Sequence, residues 1–362
     1  MLTNLFLIMK LKNCLLLLLN FMLGCLLLSA QNSQLKIQYV SQKPIIDGKL
    51  DANLNYLRVN KFPIQKKSNI TNPNYDVQYR FAYSIDFFYL YIEVDTNKIT
   101  FRDRGYQNGD GFHMIMAKTL EHNKPSDEFY VLACSAVNNK KMEWSRRFFW
   151  YYNITHIFKK VSNKTRMQYA INKNKIGFEL LIPWQDLRPL NPFVSNKIGF
   201  NLCFVKGIGS KERNFYKTMD IEMGGENSKR EYRNLVFERP KHLGQSKSFL
   251  HIERSNILAK QTIKGTLITA SQKKDKESIS VLINEDSAHL YKKKFDFIVH
   301  KGINVNNIKI KGVVEKNGDY TINWKSHFNK SEGKVGLTCL AAFNKKEYDK
   351  KIDEIWMQKS SS

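Results

Sequence analysis

The chain has 362 residues, 42% of them hydrophobic and 12% aromatic, which is enough to bury a sizeable core and too apolar for a disordered tail. Lys+Arg 58 against Asp+Glu 33 leaves a net charge of +25, spread in near proportion to length over residues 1–244 and 245–362. Such dispersion reads as a Lys-rich solvated surface; with the export leader described next, it argues against nucleic acid as a partner.

Lys10 and Lys12 precede the apolar run Cys14 to Leu19, which continues through Leu28 before Ser29-Ala30 meets Gln31-Asn32-Ser33. Positive, apolar and small residues in that order predict a signal peptide over 1–30, and hence a secreted, periplasmic or cell-surface protein. A membrane anchor is the competing reading, since the run is long enough to span, but Ala30 before a polar stretch favours cleavage. Membrane association is expected only if the chain is lipid-anchored at Cys25, and Leu26-Leu27-Leu28 is an odd exit from a membrane. Cys134, Cys203 and Cys339 remain after cleavage, with no CxxC and no metal spacing; each sits in an apolar run and is expected to pack as a small hydrophobe.

From residue 31 onward period-2 alternation dominates and predicts an all-β protein. Val77 to Tyr83 and Phe87 to Asp95, separated by Ile85-Asp86, read as an antiparallel hairpin. Further strands are predicted over Gly111 to Ala117, Phe129 to Ala136, Met142 to Tyr152, Met167 to Ile171, Ile176 to Ile182 and Ile198 to Val205. Pro240 and Gly244 mark a boundary, giving one sandwich over 31–243 and a smaller one over 244–357, with 358–362 as a tail. About seven short strands, the last over Ile352 to Met357, give the second unit the rhythm of an immunoglobulin-like sandwich. Lys292-Lys293-Lys294 and Lys345-Lys346 are expected to flank turns and keep strand edges soluble.

Five segments in order resemble family 9 carbohydrate-binding modules: Pro44-Ile45-Ile46-Asp47-Gly48-Lys49-Leu50-Asp51, Phe87 to Asp95, Gly109-Asp110-Gly111-Phe112, Phe178 to Leu187 with Pro183-Trp184, and Lys197-Ile198-Gly199-Phe200-Asn201. The likeness spans about 45–205 and implies a DOMON-like antiparallel β-sandwich that binds saccharides, in a divergent branch of Bacteroidetes type. Leu54 or Tyr56 stands where the family carries a Trp, so ligand identity is not carried over. No cofactor is expected. The resemblance allows structural calcium, for which Asp47, Asp51 and Asp110 are the nominees. A haem-binding relative would need axial ligands such as Met114 or Met116 with His156. Physical chemistry gives the motif residues structural work: Asp47-Gly48 makes a turn, and Trp184 plugs the sandwich end after Pro183.

Trp144-Ser145-Arg146-Arg147-Phe148-Phe149-Trp150-Tyr151-Tyr152 carries the candidate site. On a strand, Trp144, Arg146, Trp150 and Tyr152 share a face, where sugar rings stack on indoles and a guanidinium holds a carboxylate or sulfate; the same face packed as core is the competing reading. Arg102 and Tyr106 lie in a polar loop longer than a hairpin needs, a candidate ligand rim. No G-x-S-x-G, H-E-x-x-H or P-loop is present. The expected function is therefore that of a non-catalytic carbohydrate-binding protein in the capture or degradation of a polysaccharide, anionic through uronate or sulfate. The alternatives are a lyase or hydrolase of acidic polysaccharide, with Arg146 or Arg147 neutralising a uronate, and a scaffold that docks on another surface protein.

Overall fold

The computed structural model describes residues 34–67, 75–102, 104–119, 125–136, 146–152, 155–158, 164–219, 232–254, 256–285 and 288–340. The signal segment 1–30, Cys25, Trp144, Lys345-Lys346 and the strand predicted over Ile352 to Met357 lie outside them. In chain order the first strands are β1 (Leu35–Tyr39), β2 (Asn60–Lys61), β3 (Ile64–Lys67), β4 (Val77–Tyr83), β5 (Phe87–Val94), β6 (Gly111–Thr119) and β7 (Pro125–Ser135). They continue as β8 (Arg146–Tyr152), β9 (Thr155–Phe158), β10 (Arg166–Asn172), β11 (Lys175–Pro183), β12 (Lys197–Gly207), β13 (Phe215–Met219) and β14 (Arg233–Phe237). One four-residue helix, α1 (Gly105–Asn108), precedes β6.

Alternation sets the pairing. In β4, Val77, Tyr79 and Phe81 are buried while Gln78 and Arg80 are only half-buried, as a pleated strand with one core face requires. β4 pairs antiparallel with β5, Tyr83 opposite Phe88, which is the expected hairpin. The β5 sequence is apolar at nearly every position because both of its faces are covered. Phe88, Leu90 and Ile92 enter the main core, and Tyr89 and Tyr91 pack beneath the 40–57 segment with Leu54 and Leu57.

β10-β11-β5-β4 form one layer and β14-β12-β6-β7-β8-β9 the other, with β13 and β3 continuing from the later half of β12. β1 joins the layers: Leu35–Ile37 pair in parallel with Leu235–Phe237, and Gln38–Tyr39 in parallel with Ala82–Tyr83. Phe112, Met114 and Met116 of β6 and Phe200 and Phe204 of β12 face Phe81, Phe88 and Phe178 in a single core. Edge-on ring pairs seal it, Phe81 with Phe200 at 5.8 Å and Phe178 with Phe204 at 5.4 Å.

The remaining strands are β15 (Lys247–Ile252), β16 (Asn256–Leu258), β17 (Ile263–Ser271), β18 (Asp275–Glu285), β19 (Ala288–Val299), β20 (Gly302–Ile310), β21 (Gly318–Ser326) and β22 (Glu332–Leu340). They form a three-stranded sheet, β15-β17-β20, and a five-stranded sheet, β16-β22-β21-β18-β19. The first two strands are divided between the sheets and β17 is followed by a crossing into the other layer, which is an immunoglobulin-like arrangement. Leu267, Val281, Ile322 and Leu337 belong to its core. The sequence expectation for Lys292-Lys293-Lys294 needs correction: these residues lie in the middle of β19, not beside a turn. A strand with one solvated face accepts lysines along its whole length, so composition alone mistook its interior for an end.

Candidate functional site

The motif residues meet in space, and most of them do structural work. Gly48 turns the chain with φ +88°, a conformation that favours glycine. The N–H groups of Asp47 and Gly48 both donate to Glu179 Oε2 at 2.8 Å, and the Tyr89 hydroxyl donates to Glu179 Oε1 at 2.6 Å. Asp47 Oδ1 accepts the Lys49 N–H and Asp51 Oδ2 the Ile45 N–H, so both carboxylates brace the turn from within. Glu179 is fully buried, and burial raises its carboxyl above the ordinary value despite these donors. Trp184 is fully enclosed after Pro183 and donates its indole N–H to Ser84 O at 2.9 Å, the expected plug.

At one end of the sandwich Asp110 anchors a second junction. Its carboxylate accepts Lys206 Nζ at 2.8 and 2.9 Å, the Gly207 N–H at 2.9 Å and the Thr100 N–H at 3.1 Å. Burial pushes the Asp110 carboxyl up and the Lys206 ammonium down, and their contact opposes both shifts. These donors account for the carboxylate, and Asp47 and Asp51 are occupied by the turn. Among the described residues no three His, Cys, Asp or Glu side chains converge on a point, so the calcium nominees do not form an oxygen cage. Met114 and Met116 fill the inter-sheet core.

Arg102 holds the neighbouring loop together. Its guanidinium donates to the carbonyls of Asn108, Ile208, Gly209 and Lys211, the last at 2.8 Å. Tyr106 is buried, its ring 4.8 Å from that of His113. Arg102 and Tyr106 thus shape the loop from inside. Burial pushes His113 down to about 3.

Between Thr100 and Arg102, both tied down, sits Phe101. Thr100 Oγ1 donates to Gly207 O at 2.9 Å, so the backbone is fixed on either side of a ring that is 38% exposed. Phe101 meets the half-buried Tyr169 ring at 6.1 Å, Tyr169 meets Phe178 at 6.1 Å, and Phe178 meets Phe204, an aromatic ladder from core to surface. Sequence reading passed over Phe101; the signal available was an apolar ring in an otherwise polar loop next to Arg102.

Arg146, Trp150 and Tyr152 lie on β8, next to the edge strand β9. Their backbone register sets Arg146 opposite Cys134, Trp150 opposite Tyr130 and Tyr152 opposite Glu128. The Tyr106 N–H donates to Ser135 Oγ at 3.0 Å, next in sequence to Cys134, the register partner of Arg146. Cys134, Cys203 and Cys339 are buried free thiols, as expected, and burial pushes Cys203 up to about 12.

No protein-family model matches the chain, and no curated protein matches it. Among solved structures, it is similar to a family 9 carbohydrate-binding module from Caldicellulosiruptor kristjanssonii in complex with cellotriose, at 12% identity over 56% of this chain and 93% of that one, with a TM-score of 0.40. A family 9 carbohydrate-binding module from Caldicellulosiruptor kristjanssonii in complex with glucose gives 13% identity over 58% of this chain and 99% of that one, with a TM-score of 0.39.

Proposed function

We propose that this is an exported, non-catalytic carbohydrate-binding protein that captures a polysaccharide, anionic through uronate or sulfate, in the course of its degradation. We place the binding module over 31–243 and the immunoglobulin-like unit over 244–357. The observation that carries the reading is the Phe101 ring, exposed on a loop whose neighbours are locked by hydrogen bonds. Sugar rings dock their C–H faces on such rings, and a platform held in advance loses little entropy on binding. The aromatic and guanidinium run of Trp144, Arg146, Trp150 and Tyr152 supplies the second part of the proposed contact. The five ordered sequence segments support the same class, and the guanidinium of Arg146 beside aromatic residues supports an anionic ligand.

Affinity electrophoresis of the mature chain through gels holding neutral and acidic polysaccharides tests this. Retention by at least one polymer is expected, and Phe101→Ala is expected to weaken it by about 1–3 kcal/mol while leaving urea unfolding unchanged. Failure of every polymer to retard the chain overturns the proposal. So does release of reducing ends or unsaturated uronates, which establishes the enzymatic alternative.

A further inference from the structure

We infer that the solvent face of the five-stranded sheet is a second binding surface, which takes an anionic polysaccharide through lysines instead of aromatic stacking. Strand register aligns Lys334, Asn323, Leu282 and Lys292 across β22, β21, β18 and β19. Glu332, Lys325, Ser280 and Lys294 form the adjacent row. Along each strand these positions alternate with core residues such as Val281, Ile322 and Val335, so both rows stand on the outer side.

A shallow cavity of about 610 Å³ opens there, with half-buried Leu282 and Asn323 between Lys292, Lys325 and Lys334, and with Lys164 of the front sandwich at its border. Lys325 is paired with Glu332 at 3.7 Å and Lys294 with Asp296 at 3.6 Å, both at exposed positions where such pairs are weak. Lys292 and Lys334 make no ion pair among the described residues. Three strand spacings separate them, about 14 Å. Two free cations at that separation, flanking a floor with an amide, can engage charged groups several sugar units apart on one extended chain.

The chemistry favours a sugar polymer over other polyanions. The two rows carry no aromatic ring on which a base would stack, and the exposed apolar side chains of the same face, Ile298 of β19 and Leu340 of β22, stand outside these rows on separate strands. Asn323 and Ser280 offer hydrogen bonds suited to hydroxyl groups beside the charges. Lys293 turns away from this face and lies over the Phe295 ring at 5.1 Å, so only Lys292 and Lys294 of the triple-lysine run take part. The surface is independent of Phe101, and its existence does not require that platform to bind.

The test compares the mature chain with Lys292→Glu/Lys334→Glu and with a charge-matched control, Lys43→Glu/Lys241→Glu, in gels holding dextran sulfate, polygalacturonate or a neutral glucan. Both lysines of the control are exposed on the chain outside this sheet. Retention of the first variant by dextran sulfate or polygalacturonate is expected to fall about tenfold, with a shallower dependence on salt and no change on the neutral glucan. Which acidic gel responds identifies sulfate or carboxylate as the charge recognised. Retention unchanged by the substitutions, or an equal loss in the control, overturns the inference. It is also overturned if the double variant loses affinity for single-stranded oligonucleotides or anionic vesicles while keeping it for both acidic polysaccharides. Loss of Phe101-dependent retention, on whichever polymer shows it, concerns the front platform alone, so the two readings fail separately.

Discussion

Glu179 holds the turn at Gly48 from 131 residues away, its Oε2 accepting the Gly48 N–H at 2.8 Å in a fully buried setting. The same oxygen takes the Asp47 N–H, and the other takes the Tyr89 hydroxyl. Glu179→Ala leaves these donors without an acceptor, and a destabilisation of about 3 kcal/mol is expected in urea unfolding. Glu179→Gln keeps one carbonyl oxygen and is expected to lose less. Equal stability of the Ala variant and the parent would show that water replaces the carboxylate, and that the clasp is not what secures the 40–57 segment.

The ion pair of Asp110 and Lys206, exposed by 0% and 2%, joins the Phe101 loop to β12. Removing one partner strands the other charge in the core. Lys206→Met is therefore expected to cost about 3–5 kcal/mol, whereas Asp110→Asn/Lys206→Met together cost less than the sum. Thermal unfolding of Asp110→Asn, Lys206→Met and the double variant measures the coupling. Strict additivity would mean that the two groups are solvated separately.

These two contacts also show where sequence reading stops. The β4–β5 hairpin was legible because the alternation is local and Ile85-Asp86 interrupts it, and the Asp47-Gly48 turn because two adjacent residues suffice to make it. Glu179 stands within the Phe178 to Leu187 segment, yet its partner Gly48 lies 131 positions away, and Lys206 lies 96 positions from Asp110. No pattern along the chain encodes such pairs. The same holds for β1, whose parallel pairing with both β14 and β4 joins strands distant in sequence. In the second unit the strands from β17 onward were legible as short alternating runs, whereas β15 and β16 were not, and which lysines share a face depends on register across four strands, so the triple-lysine run looked like turn padding. Phe101 was missed because its neighbour Thr100 is held by the carboxylate of Asp110 and the carbonyl of Gly207, which lie 10 and 107 positions away from Thr100.

Acid is expected to destabilise the protein through His251. This side chain is fully buried, and burial, with the Arg188 charge close by, pushes it down to about 4 from the ordinary 6.5. Between these values the unfolded chain binds a proton that the folded chain refuses, so stability is complete above the unfolded value and is lost as pH falls toward about 4. The loss is of order 3 kcal/mol at most. Glu179 acts with opposite sign, since its raised carboxyl lets the folded chain take up a proton first. The contribution of His251 is therefore read as a difference: between about pH 7.5 and about pH 5 the parent should lose more stability than His251→Gln. Parallel urea midpoints for the two proteins across that range would show that His251 is not the acid-sensitive group.

Gly333 lies opposite Trp324 on neighbouring strands, and the indole fills the space where a side chain would stand. A Cβ on Gly333 would meet Trp324 Nε1 at 2.7 Å and Cε2 at 2.8 Å, closer than packed atoms allow. The ring cannot easily yield, because Trp324 is 5% exposed and belongs to the core with Val281 and Ile322. Gly333→Ala is accordingly expected to cost about 1–3 kcal/mol through overpacking. Trp324→Phe leaves a cavity and is destabilising alone, but its smaller ring makes room for the added methyl. The double variant should then lose less than the two single variants combined, with a favourable coupling of about 1 kcal/mol in a double-mutant cycle followed by urea unfolding. Additive losses would place the strain elsewhere and would mean that the indole tips away from Gly333 at little cost.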